Sequence, residues 1–257
     1  MNNLTLLNYR IWDIYFLILI SLLLLGCSYA GKPTYKKCPD VCDGLVGYYP
    51  FFGNANDLSG NGNDGNVSGA ALTNDRDENV DSAYLFNGKD SFIEFPDLIK
   101  KDSYTLIAIV KVLSIAEIKD WEKCSKSSII SHHKSGGLHY AKCSGFSKHS
   151  FWYQMHKAPY SPLVAKYANT TASLGKYFHV AVTANKNTNM LSLYRNGELI
   201  AKNKHERIEQ LKEIVLGVED MTQLKIKKRK ALHGIIDEVR VYDRALSSEE
   251  IYKIFEK

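Results

Sequence analysis

From Gly44 onward the sequence is cut into short runs rich in β-branched and aromatic residues, each closed by Gly, Asn or Asp. "LVGYYPF", "SAYLFNG", "SFIEF", "YTLIAIVKV", "SSIISHH", "SFWYQMH", "YFHVAVTAN", "MLSLYRNGELIA" and "EIVLGV" follow one another in this way. Runs of this length and composition read as strands, and a long series of them argues an all-β sandwich or jelly roll. At 257 residues, 45% of them hydrophobic, the chain can bury one sizeable core.

Local chemistry sharpens this reading. Asn196-Gly197 between strand-like residues is a strong hairpin signal, and Gly88 in "FNGKDSFIEF" predicts a second hairpin. "SSEEIYKIFE" opens with Ser247 and has Glu250 three residues on, a capping box for a short C-terminal helix. The stretch Gly53–Gly69, "GNANDLSGNGNDGNVSG", cannot propagate helix or strand, and as a long loop it is expected to bind something. In "GIIDEVRVY", strict alternation sets Ile235, Asp237, Val239 and Val241 on one face and Ile236, Glu238, Arg240 and Tyr242 on the other. A carboxylate among apolar residues requires a cation, N–H donors or a metal to neutralise it.

"IYFLILISLLLLGC", Ile14 to Cys27, has the outline of a secretory signal or membrane anchor and lies outside the folded domain. "LLGC" predicts lipidation at Cys27, "SYA" predicts cleavage after Ala30, and an uncleaved anchor is a third reading. Each exports the rest, so residues 28–43 read as a linker, residues 44–257 as the domain, and the product as extracellular or surface-anchored. In an oxidising compartment Cys38, Cys42, Cys124 and Cys143 can form two disulfides. The near pairs are the simplest of three connectivities. A net charge of +5 does not by itself call for nucleic acid, and membrane contact is expected only through the N-terminal segment.

The segments "LVGYYPFFGNANDLSGNGNDG", "AYLFNGKDSFIEF", "YTLIAIVKV", "LGKYFHVAVTANKNTNMLSLYRNGELIA" and "GIIDEVRVYDRALSSEEI" resemble, in order and spacing, the laminin-G-like jelly-roll domains of the concanavalin A-like lectin/glucanase superfamily. Tyr177 stands where that family commonly has tryptophan. The resemblance implies two antiparallel sheets with first and last strands adjacent, which would bring the Asn/Asp/Gly loop near Asp237. It also implies a structural Ca²⁺, with Asp57 and Asp237 as side-chain ligands and Asn56 and Asp64 as further candidates, since calcium takes six to eight oxygens. The alternative for Asp237 is acceptance of N–H bonds from a neighbouring loop.

No E-x-D-x-x-E pair of catalytic carboxylates, nucleophile elbow, phosphate loop or HExxH is present, so no enzyme is expected. Zinc at Cys124, His132, His139 and Cys143 would match no finger spacing. "SFWYQMH" alternates Phe151, Tyr153 and Met155 against Trp152, Gln154 and His156. With the first set in the core, Trp152, Gln154 and His156 project outward as a ring beside hydrogen-bonding groups, which suits a sugar. With the faces exchanged, Trp152 is core. By analogy of fold, the expectation is a non-catalytic module for carbohydrate or glycoprotein. The competing class is a protein-binding adhesion or scaffold module of the cell surface.

Overall fold

The computed structural model describes residues 38, 40–115, 124–132, 136–143, 149–155, 163–164, 172–219 and 230–257. Residues 37–257 make one compact unit. The apolar segment with Cys27, and His156, lie outside the described residues.

Two antiparallel sheets form the sandwich expected from the strand pattern. The first runs β13 (Glu198–Lys204), β12 (Met190–Arg195), β11 (Tyr177–Asn185), β6 (Tyr104–Ser114), β15 (His233–Tyr242), β4 (Ala83–Asn87) and β3 (Ala71–Thr73). β1 (Leu45–Tyr49) also pairs with β15. The second runs β10 (Leu163–Val164), β9 (Ser150–Gln154), β8 (Gly136–Cys143), β7 (Cys124–His132), β14 (Val215–Leu216), β5 (Phe92–Glu94) and β2 (Asn66–Ser68). First and last strands are adjacent, with Tyr49 opposite Val239.

The core between the sheets draws on alternate residues of each strand: Leu106, Ala108 and Val110 from β6, Val180 and Val182 from β11, Leu138 and Tyr140 from β8, Phe151 and Tyr153 from β9. Full burial of side chains of this size stabilises by about 1.5–3 kcal/mol each. A polar chain crosses this apolar layer. The Tyr104 and Tyr153 hydroxyls are 2.6 Å apart, and Tyr153 Oη lies 3.2 Å from His132 Nε2.

Turn chemistry is kept at Asn196-Gly197, where both residues have positive φ (50° and 77°) between β12 and β13, the requirement of a tight primed turn. The capping box forms as well: Ser247 Oγ accepts from Glu250 N–H, and the Glu250 carboxylate accepts from Ser247 N–H, opening helix α1 (Ser248–Phe255). The helix buries Ile251 and Ile254 on the outer face of the first sheet with Ile107, Ala181, Tyr194 and Tyr242.

Two expectations are corrected. Gly88 does not close a hairpin, because β4 and β5 belong to different sheets. Instead the Asn87 carbonyl oxygen of the side chain accepts from the N–H groups of Lys89, Asp90 and Ser91, and that cap turns the chain from one sheet to the other. Nor does β15 alternate strictly. Its register against β6 slips between Ile236 and Glu238, so Asp237 is the extra residue of a bulge. One extra residue reverses the phase: Ile236, Val239 and Val241 enter the core, while Ile235 does not.

Of the stretch read above as linker, the described residues Cys38 and 40–43 lie against this outer face. Cys38 and Cys42 are disulfide-bonded, Val41 packs with Tyr242, and the Tyr242 hydroxyl donates to the Val41 carbonyl at 3.1 Å. Between them sits Arg240, 4% exposed, with Nε 2.6 Å from Glu238 and Nη1 3.2 Å from Asp40. Its guanidinium also lies 5.1 Å from the Tyr48 ring centroid. Replacing Arg240 with Leu would strand two shielded carboxylates, and removing one partner of such a network costs about 3–5 kcal/mol. Urea denaturation of Arg240→Leu is expected to report a loss of about 3 kcal/mol.

Candidate functional site

The Asn/Asp/Gly loop binds chiefly itself and β1. Asp57 Oδ1 accepts from Tyr48 N–H (3.0 Å) and Ser59 N–H (2.8 Å), and Oδ2 accepts from the Ser59 hydroxyl (2.8 Å) and Asn63 N–H (3.1 Å). Asp64 in turn accepts from Asp57 N–H at 2.8 Å, and Asn56 N–H donates to Asn54 Oδ1 at 2.9 Å. Asn61 and Asn63 side chains donate to the carbonyls of Leu45 and Val46. A loop of this composition thus gains order from a buried carboxylate hub.

Asp237, 4% exposed, is held from a different loop. Its Oδ2 accepts from Arg76 N–H at 3.1 Å and from Arg76 Nη1 at 2.9 Å. Arg76 is delivered by Asp75, whose carboxylate accepts from Asp77 N–H, Asn79 N–H and the Asn79 side chain and so shapes the β3–β4 connection. Burial outweighs the nearby guanidinium and pushes the Asp237 carboxyl up to about 6. The sequence clue missed was the lone Arg76 inside the acidic "NDRDEN".

These placements do not fit the calcium centre implied by the resemblance. Both Asp57 oxygens are filled by N–H and O–H donors, and Asp237 Oδ2 is taken by the backbone N–H and guanidinium of Arg76. Among the described residues no three His, Cys, Asp or Glu side chains gather as a metal site. His132 and His139 also point apart: His132 meets core Tyr153, whereas His139 lies opposite Trp152 on the other face of the sheet.

The second sheet presents the remaining predicted residues. Phe151 and Tyr153 are in the core, so Trp152 and Gln154 face outward, both half-buried. Lys126 joins them from β7, two strands away. Its Nζ stands 4.0 Å from the Trp152 ring centroid and 3.3 Å from Gln154 Oε1. The indole therefore carries a cation on one face, an attraction worth about 0.5–2 kcal/mol, and a neighbouring amide. Trp152 Nε1 is buried without a hydrogen-bond partner among the described residues. Lys126 was not legible as a member of the site, because the register linking β7 to β9 through β8 is nonlocal.

A family model described as the concanavalin A-like lectin/glucanases superfamily matches residues 87–252. No curated protein shows significant sequence similarity to the chain. Among solved structures, domain 4 of the extracellular arabinanase AbnA from Geobacillus stearothermophilus, in complex with arabinotriose, superposes with a TM-score of 0.59 at 17% identity, covering 81% of this chain and 96% of that one. The binding domain of Paraclostridial Mosquitocidal Protein 1 gives 0.61 at 17% identity, covering 83% of this chain and 52% of its own. Trypanosoma rangeli sialidase in complex with the inhibitor DANA gives 0.58 at 19%, covering 84% and 33% respectively. At these identities the likeness establishes the fold.

Two measurements test the electrostatics. Asp237→Asn should lower stability by about 1–2 kcal/mol, less than for a sealed pair because Arg76 is 32% exposed. The loss should be the same in millimolar calcium and in EDTA, and a larger loss in calcium would restore an ion to the site. The second concerns pH. Burial holds His139 well below its ordinary value and pushes His179 down to about 3, with nearby Lys126 and Arg240 respectively adding to the effect. The unfolded chain protonates both near pH 6.5 and the native chain does not, so their contribution is full above about pH 6.5 and declines as pH falls. Asp237 has the opposite sign, since its raised native pKa takes up a proton before the unfolded chain does, and it offsets part of the decline between pH 6 and 4. His179→Leu is expected to reduce the slope by roughly 1 kcal/mol per pH unit in that window, as read from urea midpoints.

Proposed function

Because the chain belongs to the concanavalin A-like lectin/glucanases superfamily, we propose that it is a non-catalytic, exported module that binds carbohydrate on the outer face of its second sheet. The observation that carries this reading is the group formed by Trp152, Gln154 and Lys126: a half-buried indole with an unspent N–H, an amide beside it, and a cation that bridges the two. An aromatic surface flanked by directional donors and acceptors is what a pyranose or furanose ring needs, apolar C–H groups on the indole and hydroxyls on the polar groups. The arabinotriose bound to domain 4 of the arabinanase supports carbohydrate as the ligand class on this fold.

The non-catalytic part rests on how the buried carboxylates are spent. Asp57 and Asp75 order their own loops, Asp237 pairs with Arg76, and Asp40 and Glu238 pair with Arg240. A glycosidase needs two carboxyl groups facing a shared sugar bond, one of them free to give a proton. All five are held by their own loops or by arginines, and even Asp237, whose carboxyl is pushed up, gives its Oδ2 to Arg76.

Export is supported by the Cys38–Cys42 disulfide, which persists only in oxidising surroundings, and it accords with the signal-like segment Ile14–Cys27. Among the described residues no helix is long and apolar enough to cross a membrane. The β7–β8 register sets Cys124 directly opposite Cys143, and we read these as a second disulfide. Non-reduced peptide mapping is expected to recover the Cys124 and Cys143 peptides joined, and alkylation of both as free thiols would refute the pairing.

The binding reading predicts that Trp152→Ala weakens saccharide affinity at least about ten-fold, the loss of one aromatic contact plus its N–H, while the circular dichroism spectrum keeps its form. Isothermal titration against the best ligand from a saccharide array checks this. Undiminished affinity in Trp152→Ala would move the site elsewhere.

A further inference from the structure

Three polar side chains stand in one row across the second sheet. Ser128 on β7 is opposite His139 on β8, and His139 is opposite Trp152 on β9. Their neighbours Leu138, Tyr140, Phe151 and Tyr153 enter the core, so the row lies on the other face. The Ser128 hydroxyl, both His139 ring nitrogens and the Trp152 indole N–H are buried with no hydrogen-bond partner among the described residues. His139 is 0% exposed. An unpaired buried polar group keeps the full cost of its desolvation, and native proteins carry few of them. Four such atoms side by side are more than packing accounts for.

Lys126 lies across this row. From β7 it reaches Trp152 and Gln154 on β9, and so passes over the intervening strand that carries His139. Glu219, the carboxylate that acts on it electrostatically, is paired with Lys230 at 3.2 Å. Among the described residues no carboxylate contacts the Lys126 ammonium. Burial, reinforced by Lys230, lowers its pKa to about 8, which still leaves it mostly charged at neutral pH.

The chemistry of the group leans toward donation. An ammonium and an indole N–H donate only, while the neutral imidazole and the serine hydroxyl each donate and accept. A molecule that satisfies the two donor-only groups must bring acceptor oxygens. Sugar hydroxyls would supply acceptors but would leave the charge of a partly desolvated ammonium uncompensated, and that charge is the costliest feature of the site. We infer that the saccharide recognised at Trp152 carries an anionic substituent, a carboxylate or a sulfate, which accepts from Lys126 Nζ and the Trp152 indole N–H with Ser128 and His139 as the floor behind them. This inference rests on the carbohydrate reading given above. Lys126 and Trp152 are the partly exposed members and make first contact. With the ammonium already over one indole face, an anion engages the cation where it stands, whereas a neutral ring competing for that face must displace it.

The test uses the purified protein and matched probes: lactose, sialyllactose and 3′-sulfolactose, together with trigalacturonate and its methyl ester. The acidic member of each set should bind at least about ten-fold more tightly than its neutral counterpart, the value of one charge-assisted hydrogen bond. The sialyl and galacturonate arms report a carboxylate, the sulfolactose arm a sulfate. Lys126→Met, which keeps the apolar stem, should erase the preference, so that acidic and neutral members bind alike, and Lys126→Arg should retain the preference if the Met variant folds poorly. Equal affinity for acidic and neutral members would overturn the anionic inference and leave the carbohydrate reading standing. Silence across the whole panel from folded protein would overturn both.

Discussion

The pairing of Asp237 with Arg76 sits where the central strand of the first sheet changes partners. One edge of β15 pairs with β4 along its first half and with β1 along its second, and Asp237 falls at the changeover, in a bulge on the β6 side as well. At such a point the ladder leaves backbone groups unmatched, and a carboxylate there must itself be matched. Arg76 meets the carboxylate with a backbone N–H and a guanidinium, and Asp75 shapes the loop that brings Arg76 there. The phase reversal that follows is what sends Val239 and Val241 inward and leaves Arg240 on the outer face, where the segment from Cys38 to Val41 and the helix can close over it.

Much of this was legible locally. The Asn196-Gly197 turn, the Ser247–Glu250 capping box and the alternation of "SFWYQ" depend on residues within a few positions of one another, and each appears in the structure as its chemistry requires. What was hidden is nonlocal. A bulge adds no residue type that marks it, so "GIIDEVRVY" reads as an unbroken strand until β6 is laid beside it. The Asn87 cap looks like a hairpin turn because the same Asn-Gly chemistry serves a crossing between sheets. The resemblance paired Asp57 and Asp237 as ligands of one ion, whereas their hydrogen-bond donors arrive from 161 positions away for Asp237 and from the same loop and β1 for Asp57.

The proposed site shows the same division. Trp152 and Gln154 could be placed together by alternation alone, but Lys126, His139 and Ser128 join them only through the registers of three strands. A jelly roll can host glycosidases and binding domains alike, so the distinction rests on whether its acids are free. Here the buried acids are engaged in holding loops and neutralising arginines. On the opposite sheet Ser128, His139 and Trp152 set polar groups without partners among the described residues side by side.

The hydrogen-bonded chain from Tyr104 through Tyr153 to His132 has a mechanical consequence. Purely apolar layers can slip past one another with modest loss, since dispersion contacts exchange readily and carry little direction. Hydroxyls and an imidazole enclosed between two sheets cannot, because any lateral shift leaves them without partners in a low-dielectric interior. The three side chains act as a dowel through the sandwich, and Tyr153, its middle member, is the residue next to Trp152. The outward indole is thereby indexed to the far sheet: the two layers keep one alignment, and the surface beside Trp152 inherits that alignment.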